Sequence, residues 1–385
     1  DVKMKLVFIS NFLNHHQETF CKELIKILGT DNFRFIAMVG QAEEQKKLGY
    51  VDMNQAAYCI RYYETPNGAA EAKKWLDTAD VILVGGISYR YTYKQWLKGK
   101  IVIKFGERIN KTGTEGQKLK EKLNMLLFHR LSVRKTDYFL AASAYAAGDY
   151  RTHHAYKNRM LKWGYFPECK HYDTSELIAK KNKKEILWCG RLIDWKHPEL
   201  IIKTAKRLQR DGIDYSFTVV GDGPLRDSLQ RAAEVERLNI RLLGAVPSDL
   251  VRGYMEHAGI MLASSDYNEG WGAVINEGMN SACAMVATVS MGAVPFLIKD
   301  GENGRIFDYH DTEQCYSIVK ELLQNPEQQE SMGEKAYRTI TTTWNAKTAA
   351  ENLIALLEGL SRGEERIPAH GPCSKAEIIL NPTER

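Results

Sequence analysis

Glu269 and Glu277 stand eight residues apart in Ser264–Gly278, SSDYNEGWGAVINEG. A carboxylate accepts two hydrogen bonds in a fork, which suits the vicinal hydroxyls of a sugar. The stretch follows an apolar run that reads as a buried strand, and Gly270 and Gly272 permit a tight turn into a helix over Ala273–Cys283. A strand, a glycine turn and a helix leave free backbone N–H groups at the helix N-terminus, a ready anion site. Glu269 then lies in the turn and Glu277 on the second turn of the helix, facing one ligand at different depths. An isolated pair of glutamates would be read as helix capping or surface pairing.

Two further stretches accompany the pair. In Cys189–Lys196, CGRLIDWK, a buried strand ends at Gly190 and presents Arg191 and Lys196. Ligands of open α/β sheets bind beyond the carboxyl ends of the strands. An arginine fork and a lysine point charge there suit a diphosphate, although GRL alone reads as a solvated turn. In Val219–Arg226, VVGDGPLR, Gly221 and Gly223 make another strand-to-helix turn. No GKS or GKT follows, so it is not a P-loop, and Arg226 occupies the last position of a GxGxxG. It reads equally as a packing turn and a binding turn.

The elements that must position these residues alternate from end to end. Strands are expected at Lys5–Ser10, Phe33–Val39, Val81–Gly85, Ile101–Phe105 and Tyr138–Ala141, with helices such as His16–Leu28, Ala70–Asp77 and Gly116–Arg134 between them. The pattern lapses around Trp163–Lys183, a candidate linker with a hinge near residues 166–183. It restarts with strands at Glu185–Cys189, Tyr215–Val220, Ile240–Leu243, Ile260–Ala263 and Ala284–Thr288. Such alternation predicts α/β domains with parallel sheets covered on both faces. Three C-terminal helical patterns follow, and the proline-bearing tail after Ser361 is expected to be irregular and weakly packed.

Composition bounds the function. The 385 residues suggest two domains or three, and 44% hydrophobic content excludes a largely disordered or collagen-like chain. A net charge of +5 favours anionic ligands but is too diffuse for nucleic acid. The seven scattered cysteines show no zinc spacing and predict reduced thiols in the cytosol. Apolar runs such as Val81–Val84 are too short to span a bilayer, and no signal-peptide pattern precedes Met4.

Taken together, GRLIDWK, VVGDGPLR, the Glu269–Glu277 pair and the later SMGAVPFLIKDGENGRIFD resemble the retaining glycosyltransferases of family 4 over most of residues 185–308. KFGERINK and KWGYFPE are similar to stretches of bacterial enzymes that build surface polysaccharides. The resemblance implies a GT-B fold, with two facing Rossmann-like domains, parallel sheets and an interdomain cleft. The boundaries expected are 1–168 for an acceptor domain and 169–345 for a nucleotide-sugar donor domain. A helix over 346–362 would return to the first domain, and 363–385 would form the tail.

By the same resemblance, Arg191, Lys196 and Glu269 are the catalytic candidates. The two cations would stabilise the departing diphosphate, and Glu269 would lie near the donor sugar. Glu277 would hold the ribose. Gly190, Gly221, Gly223, Gly244, Ala245, Val246, Gly270, Trp271 and Gly272 would line the donor. No metal or cofactor is expected beyond the nucleotide-sugar co-substrate, a UDP-sugar. Partners would be a glycan or lipid-linked acceptor and, at the inner face of the cytoplasmic membrane, peripheral lipid contact, but no nucleic acid.

Two departures stand out. Where the family has a histidine after a strand of the first domain, this sequence reads Gly106-Glu107-Arg108. Glu107 or Arg108 could contact sugar or acceptor, or the two could form a loop salt bridge. The family's Gly-Gly-x-Pro-Glu reads Gly292-Ala293-Val294-Pro295-Phe296 here, without the glutamate.

In the first domain Asn11, His15 and His16, in NFLNHH, follow the first strand and are acceptor or phosphate candidates, or plain capping residues. Leu119, Leu123, Leu126, Leu127 and Leu131 form a helical stripe among basic residues. That stripe is expected to face the core with a solvated basic face; the alternative is contact with anionic lipid. Rival readings are an epimerase or hydrolase on the same fold and a non-catalytic nucleotide-sugar sensor. An oxidoreductase is disfavoured because no GxGxxG follows the first strand.

Overall fold

The computed structural model describes residues 4–41, 51–109 and 119–380. Gly116–Lys118 of the expected helix, Asn110–Lys111 of KFGERINK and residues 381–385 lie outside them. The chain divides into two compact units, residues 1–168 with 346–385, and residues 169–345.

In the first unit seven parallel strands are described: β1 (Leu6–Ser10), β2 (Phe33–Ala37), β3 (Cys59–Arg61), β4 (Val81–Val84), β5 (Ile101–Gly106), β6 (Phe139–Ala141) and β7 (Met160–Lys162). They lie in the order β3-β2-β1-β4-β5-β6-β7. Strands β1 and β4 are buried at every residue, as expected of parallel strands covered on both faces. The helix His15–Leu28 covers this sheet with Phe20, Cys21, Leu24 and Leu28, one apolar stripe at helical spacing. Asn14 caps it by accepting from the His16 and Gln17 amides, and Gly29 ends it at φ 83°. Ala346–Ser361, also of this unit, packs against it.

The second unit holds β8 (Asn182–Cys189), β9 (Ser216–Val220), β10 (Ile240–Gly244), β11 (Ala258–Ala263), β12 (Ala284–Thr288) and β13 (Arg305–Phe307), all parallel, in the order β10-β9-β8-β11-β12-β13. This is a doubly wound sheet whose order reverses between β8 and β11. Its core runs through Ile186, Trp188, Phe217, Val219, Ile260, Leu262 and Val286. Cys189 pairs with Val220, and Trp188 pairs with Leu262. The carboxyl ends of β8, β9 and β11 therefore finish on one rim.

Three expectations change. The expected linker contains buried Trp163 and Phe166, then a helix at Thr174–Ala179 capped by Asp173. The helix expected over Ala273–Cys283 spans only Val274–Asn280, because Ala282 turns left-handed at φ 53° and the Cys283 amide bonds back to Gly278. Among the described residues the tail has no regular element, yet Cys373 and Ser374 are buried. The Cys373 and Ala376 amides donate to the Lys162 and Met160 carbonyls along β7.

Candidate functional site

The rim of the second sheet is a backbone lattice that only glycine permits. The Gly190 amide bonds to Val220 at 3.0 Å, and the Gly221 amide bonds to Gly244 at 2.8 Å. The Leu192 amide bonds to Asp222 at 2.9 Å. Gly221 sits at φ 137°, and a β-carbon there would meet the Gly190 carbonyl oxygen at 1.8 Å. Gly223, at φ 157°, is equally tight against the Leu192 carbonyl, at 2.4 Å. The VVGDGPLR turn thus packs closely enough to fix the shape of the GRL loop. Gly244 turns at φ 74° beneath Arg226, whose guanidinium bonds to Asp222 at 3.0 Å. Ala245 is exposed and Val246 half-buried just beyond.

The GRL loop carries the two cations. Arg191 is exposed, and among the described residues its guanidinium has no hydrogen-bonded or ion-paired partner; it lies 5.8 Å from the Trp195 ring. Lys196 bonds to Glu269 at 2.6 Å, with both side chains about 15% exposed. The Lys196 stem crosses Gly190, where a β-carbon would stand 3.2 Å away. Glu269 also accepts from Ser265 at 3.2 Å. Sequence spacing placed Lys196 and Glu269 on separate loops; the fold joins them at the point where strand order reverses.

Glu277 stands on the short helix behind. Burial raises its carboxyl above the ordinary range, with the Arg252 charge opposing. Among the described residues that carboxylate has no hydrogen-bond partner, so the capping and pairing alternatives are not realised. Burial, and then the Glu277 charge, pushes the Cys189 thiol up to about 12 while Lys196 pulls it down, which places all three groups in one electrostatic neighbourhood. Gly272, at φ 89°, lets the turn pass Met291 and Glu269. Gly270 is buried beside it. The Trp271 ring is 1% exposed, bonds to Asn276 and packs with Phe296 and Trp344. Its side chain is a core plug.

A polar clamp that the sequence did not reveal ties the two loops together. His197, left-handed at φ 46°, lies between Glu199 at 3.1 Å and Asp266 at 3.2 Å. The hydrogen bonds to Asp266 and Glu199 raise its pKa to about 9. Ser264 donates to the Lys196 carbonyl at 2.6 Å and accepts from the Trp188 indole at 2.9 Å. The Asp266–Asn268 turn, in which Asp266 accepts from the Asn268 amide at 2.8 Å, is the one local signal that could have marked this loop as rigid.

In the first unit the candidates separate. Arg108 pairs with Asp149 at 3.4 Å, both essentially buried. That pair holds the guanidinium inside the fold, and among the described residues no Glu107–Arg108 salt bridge forms. Glu107 instead accepts from the Tyr165 hydroxyl, and the Tyr165 ring stacks on His16 at 5.5 Å and 2°. Glu107, Tyr165 and His16 thus make one cluster at the carboxyl edge of the sheet. Burial, then the neighbouring His15 charge, lowers His16 to about 3; burial also lowers His15, with Glu18 opposing. The Asn11 side chain turns back to its own loop, accepting from the Phe12 amide at 2.9 Å and Ser10 at 3.1 Å. Among the described residues no group of three or more His, Cys, Asp or Glu side chains could hold a metal ion. No helix there is long and apolar enough to cross a membrane.

Residues 173–339 match the model of the family Glycosyl transferases group 1. An alpha-D-kanosaminyltransferase from Streptomyces kanamyceticus is 27% identical over 191 residues, 49% of each chain. A D-inositol 3-phosphate glycosyltransferase from Corynebacterium glutamicum is 30% identical over 186 residues, 46% of this chain and 44% of the relative. The chain spans about half the length of the curated relatives it matches. Among solved structures, Anabaena HepE in complex with UDP superposes with a TM-score of 0.68 at 15% identity, over 93% of this chain and 100% of that one. A Rickettsia africae glycosyltransferase gives 0.68 at 14%, over 94% and 100%. These likenesses show the fold, a GT-B chain of two Rossmann-like α/β domains.

Proposed function

Residues 173–339 are a domain of the group 1 glycosyl transferases, and from that premise we propose that the protein transfers a hexose-type sugar, with retention, from a nucleotide diphosphate donor to a glycan or lipid-linked acceptor. The observation that carries this reading is the convergence of the Arg191 guanidinium, unpaired among the described residues, the Lys196–Glu269 pair and the half-buried Glu277 carboxylate at the reversal point of the second sheet.

The roles follow from the chemistry. Arg191 and Lys196 stabilise negative charge developing on the leaving diphosphate, with Glu269 orienting Lys196 until the donor arrives. The Glu277 carboxylate, raised by burial, regains hydrogen bonds from ribose hydroxyls. The acceptor hydroxyl attacks from the face of the departing diphosphate, whose oxygen takes the proton. On the first unit, the Glu107–Tyr165–His16 cluster is the acceptor-side candidate. The donor is UDP-linked, the two cations take the neutralising task without a metal, and the work belongs to surface polysaccharide synthesis at the cytoplasmic face of a membrane.

A thermal-shift series with UDP-, GDP- and ADP-sugars tests this reading, because a ligand of the native state raises the melting point. One donor class should raise it by several degrees with chelator present, and product should then form only with acceptor. Turnover of donor without acceptor would favour a hydrolase or epimerase instead.

A further inference from the structure

The leucine stripe expected to face the core points the other way at Leu123, Leu126, Leu127 and Leu131; the Leu119 side chain lies outside the described residues. The helix Leu119–Asn124 continues as a π-helical segment, Met125–Leu131. Leu123, Leu126, Leu127 and Leu131 are 51%, 39%, 40% and 63% exposed. The inward face is Met125 and His129. His129 meets the Tyr156 hydroxyl at 2.9 Å, and the Lys104 ammonium donates to the Phe128 and Ser132 carbonyls from beneath. These buried polar contacts set the rotation of the segment and hold its apolar side outward.

A second segment extends the surface. Tyr93, on the helix Arg90–Leu97, meets Phe128 edge-on at 5.8 Å. Tyr91, Tyr93 and Leu97 are 36%, 39% and 58% exposed. Of the thirteen large apolar side chains left exposed among the described residues, seven lie on these two segments. Arg90, Lys94, Lys98, Lys122, Arg130 and Lys135 are exposed among them, and residues 87–98 and 122–135 contain no Asp or Glu. Lys98 bonds to Asp77; the other five cations lie in no ion pair among the described residues.

We propose that this face docks on an anionic lipid bilayer, its leucines and tyrosines entering the headgroup boundary and its cations meeting lipid phosphates. Charge selects the occupant, since a second copy would set cation against cation. The inference deepens the reading of a membrane-presented acceptor and rests on it, but its test uses no sugar.

The full chain is sedimented with sucrose-loaded vesicles of phosphatidylcholine, with and without about 30% phosphatidylglycerol. Retention by the anionic vesicles should be at least about tenfold stronger and should fall with added salt. Leu126→Ser with Leu127→Ser should weaken it about tenfold or more, and so should Lys122→Ala with Arg130→Ala. Both variants should keep the wild-type melting point, as they alter exposed side chains. Equal retention by both vesicle types, no retention, unchanged retention of either variant, or self-association through this face would overturn the proposal. Any of these would leave the transfer reaction untouched.

Discussion

Replacing Gly221 with alanine strikes the rim where it is tightest. The new β-carbon would lie 1.8 Å from the Gly190 carbonyl oxygen, against an ordinary carbon–oxygen contact of about 3.3 Å. The strands must part by about 1.5 Å. Two backbone hydrogen bonds hold them there, Gly190 to Val220 and Leu192 to Asp222. Their loss costs about 1 kcal/mol each. The backbone at φ 137° adds about 1–3 kcal/mol of strain for any residue with a side chain. The sum is about 3–5 kcal/mol. Gly212→Ala is the control: it has φ 66° with nothing within 4 Å, so it should cost only about 1–2 kcal/mol. Urea unfolding followed by tryptophan fluorescence measures both. Movement of Gly190 also displaces the Lys196 stem, so nucleotide affinity should fall in Gly221→Ala and hold in Gly212→Ala. Two variants equal in stability to within about 0.5 kcal/mol would refute the lattice.

Other outcomes follow from single groups. Glu277→Gln should leave stability unchanged or raise it by about 1 kcal/mol, because burial already raises this carboxyl, while nucleotide affinity measured by calorimetry falls at least about tenfold. The His197 pKa, raised from 6.5 to about 9, corresponds to about 3 kcal/mol, which solvent screening of a partly exposed ring reduces to about 1–2 kcal/mol. That contribution is complete below pH 6.5 and is lost as pH rises through 9. The stability gap between the wild type and His197→Gln should therefore close across this window; a gap that stays constant in urea titrations would contradict the clamp.

The central strands were legible because each is a run of apolar residues buried on both sides, as at Val81–Val84 and Ala284–Thr288. Cys59–Arg61, Met160–Lys162 and Arg305–Phe307 were not, since three residues show no period. Glycine turns and Glu277 could be read from local spacing. Arg108 could not, because its partner Asp149 lies 41 residues away. The leucine stripe misled because amphipathicity gives a helix two faces without saying which is inside; buried contacts of His129 and Lys104 decide that. The His197–Asp266 clamp depends on a 69-residue separation and two carboxylates that gather only in the fold.

The central claim is that the rim of the second sheet holds a nucleotide diphosphate through Arg191 and Lys196. Calorimetric titration of UDP and GDP into the wild type and into Arg191→Ala with Lys196→Ala tests it most directly. Two charge-assisted contacts of about 1.5–3 kcal/mol each predict a loss of at least about 100-fold in affinity, with the melting point little changed. Equal affinity in the wild type and the double variant would contradict the account.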